Sequence, residues 1–450
     1  MVNSELELSF PAVGRTQVVA RFDGGDITSD AGVLLVKQAD LRLGLTDALA
    51  AGIVDRRQPG KVEHRLPELL RARLYAISQG YEDANDLDTL RYDPALKTAC
   101  DRRPGSSEGL ASQPTVSRLE NTVSRKDLLR MGVALAERVI AQLPEDTRSV
   151  VLDVDATDDP CHGQQEFEFF NAYYDAHCYV PLYLHVTGAD GVQRLLATLL
   201  RPGNAKATLG LFGLLRRAVQ LLRARFPEIE IILRADAAFG VAEVLAFCER
   251  AGLRYILGLR SNRRLHTLST SVQMDAALKY TFQRPKPPAV CREFGEFDYK
   301  AGTWPHKRRV IVKAEITRGE LNPRFVVTDL GDGMPEERYA FYCARGDREN
   351  RIKEMKLDLA SGRTSCHRFL ANQFRLLLHT AACVLMQALQ EAASGTRWAK
   401  AQIGTLRLRL LKVGARVVET CRKVWVHLPT AFPEQDVWYH IHDRLCRLPT

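Results

Sequence analysis

The sequence predicts an α/β protein. A mixed sheet with flanking helices follows an all-α N-terminal region, and a β-rich insertion interrupts it. Three observations carry that prediction. Up to about residue 145, apolar residues recur at helical spacing. At Ser149 the texture changes to Val150-Val151-Leu152-Asp153-Val154-Asp155, an apolar run of buried-strand type that ends in acids. From there to Leu259, strand patterns alternate with helical ones.

Residues 1–145 form the first expected region. Residues 1–25 read as extended. Leu34, Leu35, Leu41, Leu45, Ala48 and Leu49 then give one apolar face, with Gly44 as a breaker inside it. Leu66 to Gly80 is a second helix, Asp86 to Tyr92 a short third, and Lys126 to Leu143 a longer one. Between them, Ser112 to Asn121 has a polar start, Pro114 near the first helical position, and hydroxyls beside Arg118. Such a helix suits the reading of DNA, although short capped helices are common in any fold.

Residues 149–259 form the first part of the core. Tyr179 to Thr187 and Arg194 to Leu200 read as strands joined by the turn Gly188-Ala189-Asp190-Gly191. A long helix spans Ala207 to Phe226. The strand Ile229 to Ala235 ends at Asp236, the helix Val241 to Ala251 follows, and Tyr255 to Leu259 is the fifth strand. Three antiparallel strands, a helix, a strand, a helix and a strand make the order expected of an RNase H-like core. Residues 260–340 read as the β-rich insertion, 341–392 as the second part of the core, and 396–450 as a basic C-terminal region. In that tail Arg397, Lys400, Arg407, Arg409, Lys412 and Arg416 occur with no acid among them, which suits contact with phosphates. Val417 to Leu428 looks like a strand.

The chain has 450 residues, enough for two or three domains. Lysine plus arginine is 63 against 54 acids, a net charge of +9, which favours polyanions and says nothing of fold. The N-terminus is acidic and lacks an apolar h-region, so no signal peptide is expected. No apolar run approaches about 18 residues, so no membrane span is expected either. The ten cysteines are scattered and none forms Cys-x-x-Cys; they read as reduced, mostly buried thiols of a cytoplasmic protein.

One stretch, Tyr342 to Lys356, organises the rest. Arg348 to Leu359 lacks Gly and Pro, Asp347 is a suitable N-cap, and Ile352, Met355 and Leu359 form a helical stripe. At about 100° per residue, Glu349 and Lys356 lie roughly 20° apart, whereas Glu354 lies roughly 140° from Glu349 and is expected to be solvated. A surface helix with charge pairs would look the same. Tyr342, Arg345, Glu349 and Lys356 nevertheless match Tyr-x2-Arg-x3-Glu-x6-Lys. This resembles the signature of bacterial insertion-sequence transposases, the DDE enzymes with an RNase H-like core.

Phosphodiester cleavage by paired divalent ions needs several carboxylates about a shared site. For the first acid the candidates are Asp153 and Asp155, which lie two apart on one strand, so parity cannot choose between them. Asp155-Ala156-Thr157 resembles the family's Asp-x-Thr, which favours Asp155. Asp236 ends the fourth strand and is the second candidate. The resemblance makes Glu349 the third. It implies two Mg²⁺ ions, replaceable by Mn²⁺, held by Asp155, Asp236 and Glu349. Tyr342 and Arg345 would contact DNA near the scissile end, and Lys356 a phosphate. The implied partners are double-stranded DNA, as terminal inverted repeats and target, and a second copy of the chain. The implied location is the cytoplasm, at the nucleoid. The implied reaction is strand cleavage followed by strand transfer. A nuclease without strand transfer and an inactive DNA-binding relative remain as alternatives. Cys161-His162 and His177-Cys178 are zinc-type residues, but their adjacent spacing favours ordinary strand and loop roles. No Walker loop and no Gly-x-Ser-x-Gly elbow occurs.

Overall fold

In the computed structural model, residues 7–282, 290–331 and 333–447 are described, apart from the side chains of 347–349. The chain divides into two compact units. One comprises Met1–Met131, Glu354–Arg363 and Leu377–Thr450; the other comprises Gly132–Lys353 and Thr364–Leu376.

The second unit is built on an eight-stranded sheet. In chain order its strands are β1 (Ser149–Ala156), β2 (Leu182–Thr187), β3 (Gln193–Leu199), β4 (Glu230–Ala235), β5 (Arg254–Leu259), β6 (Val290–Tyr299), β7 (Arg308–Thr317) and β8 (Glu320–Thr328). Their spatial order is β6-β7-β8-β5-β4-β1-β2-β3. β1, β2 and β3 pair antiparallel, while β1, β4 and β5 run parallel. Parallel strands need covered faces, and Val150, Leu152, Val154, Ile231, Leu233, Ile256 and Leu257 are all buried. Helices α1 (Leu211–Arg225) and α2 (Ala242–Ala251) make the crossovers between parallel strands. The expected strand from Tyr179 breaks at Pro181. Ala176–Tyr179 instead joins a small separate sheet with Asp159–Pro160 and Phe169–Asn171.

The expected insertion does contain strands, but β8 pairs antiparallel with β5, so β6 to β8 extend the main sheet. Ile256, Ile311, Val326 and Leu330 form one continuous core there. Two helices, Arg263–Leu268 and Thr270–Phe282, also lie in this segment. Helix α3 (Pro335–Cys343) follows, packed on the same core through Tyr339 and Tyr342, and then α4 (Gly346–Lys353).

In the first unit, the all-α expectation needs correction. Leu8–Val13 and Thr16–Ala20 form a hairpin, and Ile27–Thr28 pairs with Ala415–Glu419. That last partner lies at the far end of the chain, so no local pattern announces the strand. Helices Val33–Leu43 and Leu45–Ala51 are separated at Gly44, whose φ of 57° suits glycine. Leu66–Gln79, Pro94–Ala99, Gln113–Thr122 and Gln435–Cys446 are further helices. The single C-terminal strand expected over 417–428 is a hairpin, Ala415–Glu419 with Val424–His427. Buried Asp30 ties the ends of the unit together, accepting from Lys412 Nζ at 2.6 Å and Tyr81 Oη at 2.8 Å. Among the described residues one helix, Phe369–Ala392, is long and apolar enough by mean hydropathy to span a membrane, and 89% of its apolar window is buried inside the protein, as in a core helix.

Asp127 is a second anchor of this unit. Its fully buried carboxylate accepts from Ser124 N at 2.9 Å, Ser124 Oγ at 2.6 Å, Val54 N at 3.2 Å and Arg56 Nη1 at 3.0 Å. Burial opposes ionisation, but the bonds from Ser124, Val54 and Arg56 outweigh it and hold the carboxyl well below the usual range. A depressed pKa adds stability above the unfolded value of about 3.9, and this is lost as pH falls toward the folded value. Asp127→Asn should therefore cost about 2–3 kcal/mol at pH 7, with the gap from the parent shrinking below about pH 4 in urea titrations.

Candidate active site

The ends of β1 and β4 are set by register. Arg234 stands opposite Asp153 and Ala235 opposite Val154. The pairing ends there, and Asp155 and Asp236 are the next residues along the two chains. Adjacent strands lie about 4.8 Å apart, and in-register residues of parallel strands share a face. Both aspartates are half-buried at the mouth of the sheet. Asp155 Oδ1 accepts from Ala156 N at 2.9 Å, and Asp236 Oδ1 from Ala238 N at 2.9 Å. These local bonds help orient each carboxylate.

Asp153 has a different environment. It is fully buried, and Arg234 grips it with Nε to Oδ1 at 2.7 Å and Nη2 to Oδ2 at 2.8 Å. Gln193 Nε2 adds a bond at 3.3 Å. A carboxylate held by a bidentate guanidinium is committed to structure. Strand parity left Asp153 and Asp155 equivalent; the cross-strand partner separates them.

Arg234 also reaches α3. Its Nη1 donates to the Phe341 carbonyl at 2.6 Å, and its guanidinium lies 5.0 Å from the Phe341 ring centroid. One side chain thus links β1, β4 and the last turn of the helix that carries Tyr342. Sequence reasoning missed Arg234; a charged residue inside an otherwise apolar strand was the available signal.

Tyr342 is buried and lies beside Asp236 through a glycine. A Cβ on Gly258 would meet Ala237 N at 2.6 Å, Tyr342 Oη at 2.7 Å and the Asp236 carbonyl carbon at 3.0 Å. Only a residue without a side chain lets the phenol and that backbone approach so closely. Burial raises the Tyr342 pKa above its ordinary value; Arg345 opposes this and the Asp236 charge adds to it. The phenol is therefore a neutral donor near neutral pH. Arg345, half-buried, sits 5.2 Å from the Tyr342 ring centroid.

The structure thus brings Tyr342 against the Asp236 backbone and Arg345 against the Tyr342 ring, while Asp155 follows the last paired rung of the neighbouring strand. Glu349 lies within α4, but its side chain is outside the described residues. Asp347, expected as an N-cap, falls inside the helix, which begins at Gly346; its side chain is also outside the described residues. Lys356 belongs to the other unit. It sits in a π-helical turn, Glu354–Asp358, closed by Leu359 N to Glu354 O at 3.0 Å. The expected continuous α-helix therefore ends at Lys353. The wider turn invalidates the 100° count that put Lys356 on the face of Glu349. Glu354, expected in solvent, is buried and accepts from Ile403 N at 3.3 Å. Ile352, Met355 and Leu359 are buried, as their stripe requires.

In the tail, three of the six basic residues have internal hydrogen-bond or ion-pair partners, and Arg409 lies 6.0 Å from the Trp398 ring centroid. Arg397 pairs with Glu434 at 2.5 Å, Arg407 donates to the Ser78 carbonyl at 2.9 Å, and Lys412 holds Asp30. Lys400, Arg409 and Arg416 are exposed. All ten cysteines are free thiols, five of them buried, so "mostly buried" overstates the expectation. On the expected recognition helix, Arg118 is exposed while Val116 and Glu120 are buried.

Comparison with known families supplies the class of protein. The family model described as transposase DDE domain group 1 matches residues 10–450. The chain belongs to that family, whose members act on DNA and generally use divalent metal ions. No curated protein matches the chain.

The donor set fits such an ion. Asp155 and Asp236, both half-buried, offer only oxygen, which suits a hard cation that keeps several waters. Among the described residues no group of three or more His, Cys, Asp and Glu side chains could hold a metal. Any third carboxylate would have to come from a residue outside that set, such as Glu349.

The Asp153–Arg234 pair yields a stability prediction. Arg234→Met removes the cation that balances a buried carboxylate and should cost about 3–5 kcal/mol by chemical denaturation. Asp155→Asn, at a half-exposed strand end, should cost less than about 1 kcal/mol in the same assay.

Proposed function

We propose that this protein is an insertion-sequence transposase that cleaves DNA at the element's terminal repeats and joins the freed end to target DNA. What supports the reading is that Asp155 and Asp236 each directly follow the last paired rung of β1 and β4, with Tyr342 against the Asp236 backbone and Arg345 against the Tyr342 ring. In this reading the core is RNase H-like, and Glu349 on α4 supplies the third carboxylate. Two Mg²⁺ or Mn²⁺ ions held there would supply charge stabilisation and an activated attacking oxygen.

The chain's own residues do the rest. Asp155 and Asp236 hold their carboxylates toward the sheet mouth through bonds to Ala156 N and Ala238 N. The neutral Tyr342 hydroxyl donates toward the reacting phosphate, and Arg345 adds positive charge beside it. Lys356 holds a second phosphate. The exposed Lys400, Arg409 and Arg416, together with Arg118 on its helix, contact the DNA backbone. Transposition acts on two ends, so a homodimer of this cytoplasmic, nucleoid-associated protein is the functional form. The net charge of +9 and the strand-end acids support a DNA substrate over a small anionic one.

The test uses purified protein, element-end duplex and target plasmid. Asp236→Asn and Glu349→Gln should each lower cleavage by at least about 10²–10³-fold while end binding persists. Cleavage that survives both changes would overturn the assignment. Joined product from a pre-cut end separates strand transfer from simple nuclease action.

Binding should also depend on salt. With about four neutralised phosphates, affinity should fall by roughly 100-fold between about 50 and 200 mM salt. Gel-shift titrations across that range give the slope directly.

A further inference from the structure

One helix of the β-rich segment is apolar on two opposite sides. In Thr270–Phe282, Val272, Ala276 and Tyr280 recur at i, i+4 and i+8 and pack with Cys291, Ala314 and Ile316 of β6 and β7. A Cβ on Gly295 would stand 2.4 Å from Val272 Cγ2, so the helix lies directly on β6. Met274, Leu278 and Phe282 repeat the same spacing on the outer side, where they are 58%, 52% and 67% exposed. At about 100° per residue the two stripes are centred roughly 160° apart, so the sheet cannot cover both. A helix that is apolar on both sides belongs between two layers. Three large apolar side chains in one row mark a contact surface, unlike apolar residues scattered singly.

The charges beside the outer stripe select its partner. The helix carries one acid, Asp275, one base, Lys279, and no arginine. A phosphate backbone or an anionic membrane surface calls for several cations on such a face. Asp275 and Lys279 lie on the same flank of the stripe, roughly 60° and 100° round the helix from Leu278. Glu293 on β6 holds the Lys279 ammonium on that flank at 2.6 Å, and an ammonium has further donors to offer.

A second copy of the same helix meets both requirements. Two such helices packed antiparallel about a two-fold axis at Leu278 set stripe on stripe, as a self-complementary interface demands. That symmetry keeps the two charged flanks on one side of the pair. Measured along the helix from Leu278, Lys279 then stands at roughly 1.5 Å and Asp275 of the second copy at roughly 4.5 Å in the same direction. Acid therefore meets base at two places. In a parallel pair the charged flanks fall on opposite sides, and no such pairing arises.

We infer that the Met274–Leu278–Phe282 face is the surface through which two copies of this chain pair, helix against helix and antiparallel about Leu278. It deepens the homodimer of the transposase reading, yet its test needs no DNA. Sedimentation of the full-length protein over a dilution series should show a monomer–dimer equilibrium, and Asp236→Asn should dimerise like the wild type. Leu278→Glu puts a charge into both halves of the interface and should weaken the dimer at least about 100-fold. Asp275→Lys leaves the stripe whole but sets base against base. It should weaken the dimer about 3- to 10-fold, with a greater loss at about 50 than at about 200 mM salt. Both substituted residues are exposed, so each variant should keep the circular dichroism spectrum of the parent. A monomeric wild type, a dimer that Leu278→Glu leaves intact, or one that Asp275→Lys leaves unchanged or strengthens would overturn the inference. A wild type that pairs through this face yet never cuts DNA would instead remove the transposase reading and leave the surface standing.

Discussion

A buried ion pair holds the mouth of the sheet in shape. Asp153 and Arg234 face each other across the parallel strands β1 and β4, with two bonds between them and no solvent around the carboxylate. Such a pair contributes little net stability compared with apolar side chains, because both charges are desolvated. What it does supply is specificity. Its geometry is satisfied in one register only, and a slip by one residue would turn every side chain to the other face. The third bond of Arg234, to the Phe341 carbonyl, carries that register into α3. The placement of Tyr342 and Arg345 relative to Asp236 follows.

Close backbone approach is the second constraint. Gly258 admits the Tyr342 hydroxyl and the Asp236–Ala237 backbone to one small volume, and a Cβ on Gly240 would stand 2.0 Å from the Gly258 carbonyl. The strand-end acids, the glycines and the helix terminus are therefore interdependent. The small aromatic sheet uses the same device at Gly203 and Asn171, beside the apolar packing of Tyr179 on Leu200. At both places glycine lets backbones touch, and polar side chains then fasten them.

Charge in this protein is only partly available to a partner. The tail looks uniformly basic, yet Arg397, Arg407 and Lys412 are spent on internal acceptors. Lys412 serves buried Asp30, which also takes a bond from Tyr81. A long cationic side chain can cap a carbonyl or pair with a buried acid without any sign of it in the local sequence. The run of basic residues in the tail therefore overstates the surface there that can meet a polyanion.

Much of the fold was legible from local pattern. Apolar runs that stop at Asp155 and Asp236 and helical stripes broken at Gly44 each follow from how a strand or helix distributes its side chains. Partners remote in the chain were not legible. Asp153 and Asp155 have the same parity, and only Arg234, on a different strand, distinguishes the buried carboxylate from the one at the sheet mouth. Glu354 was assigned to solvent by an angular count that the π turn and Ile403 overrule. The strand at Ile27–Thr28 exists because Ala415 and Arg416 pair with it. Sequence alone determined which residue types stand at the ends of which elements, since that depends on the chain's own periodicity. Tertiary structure decided which of those side chains are occupied and which face outward, since occupancy depends on neighbours that no local window contains.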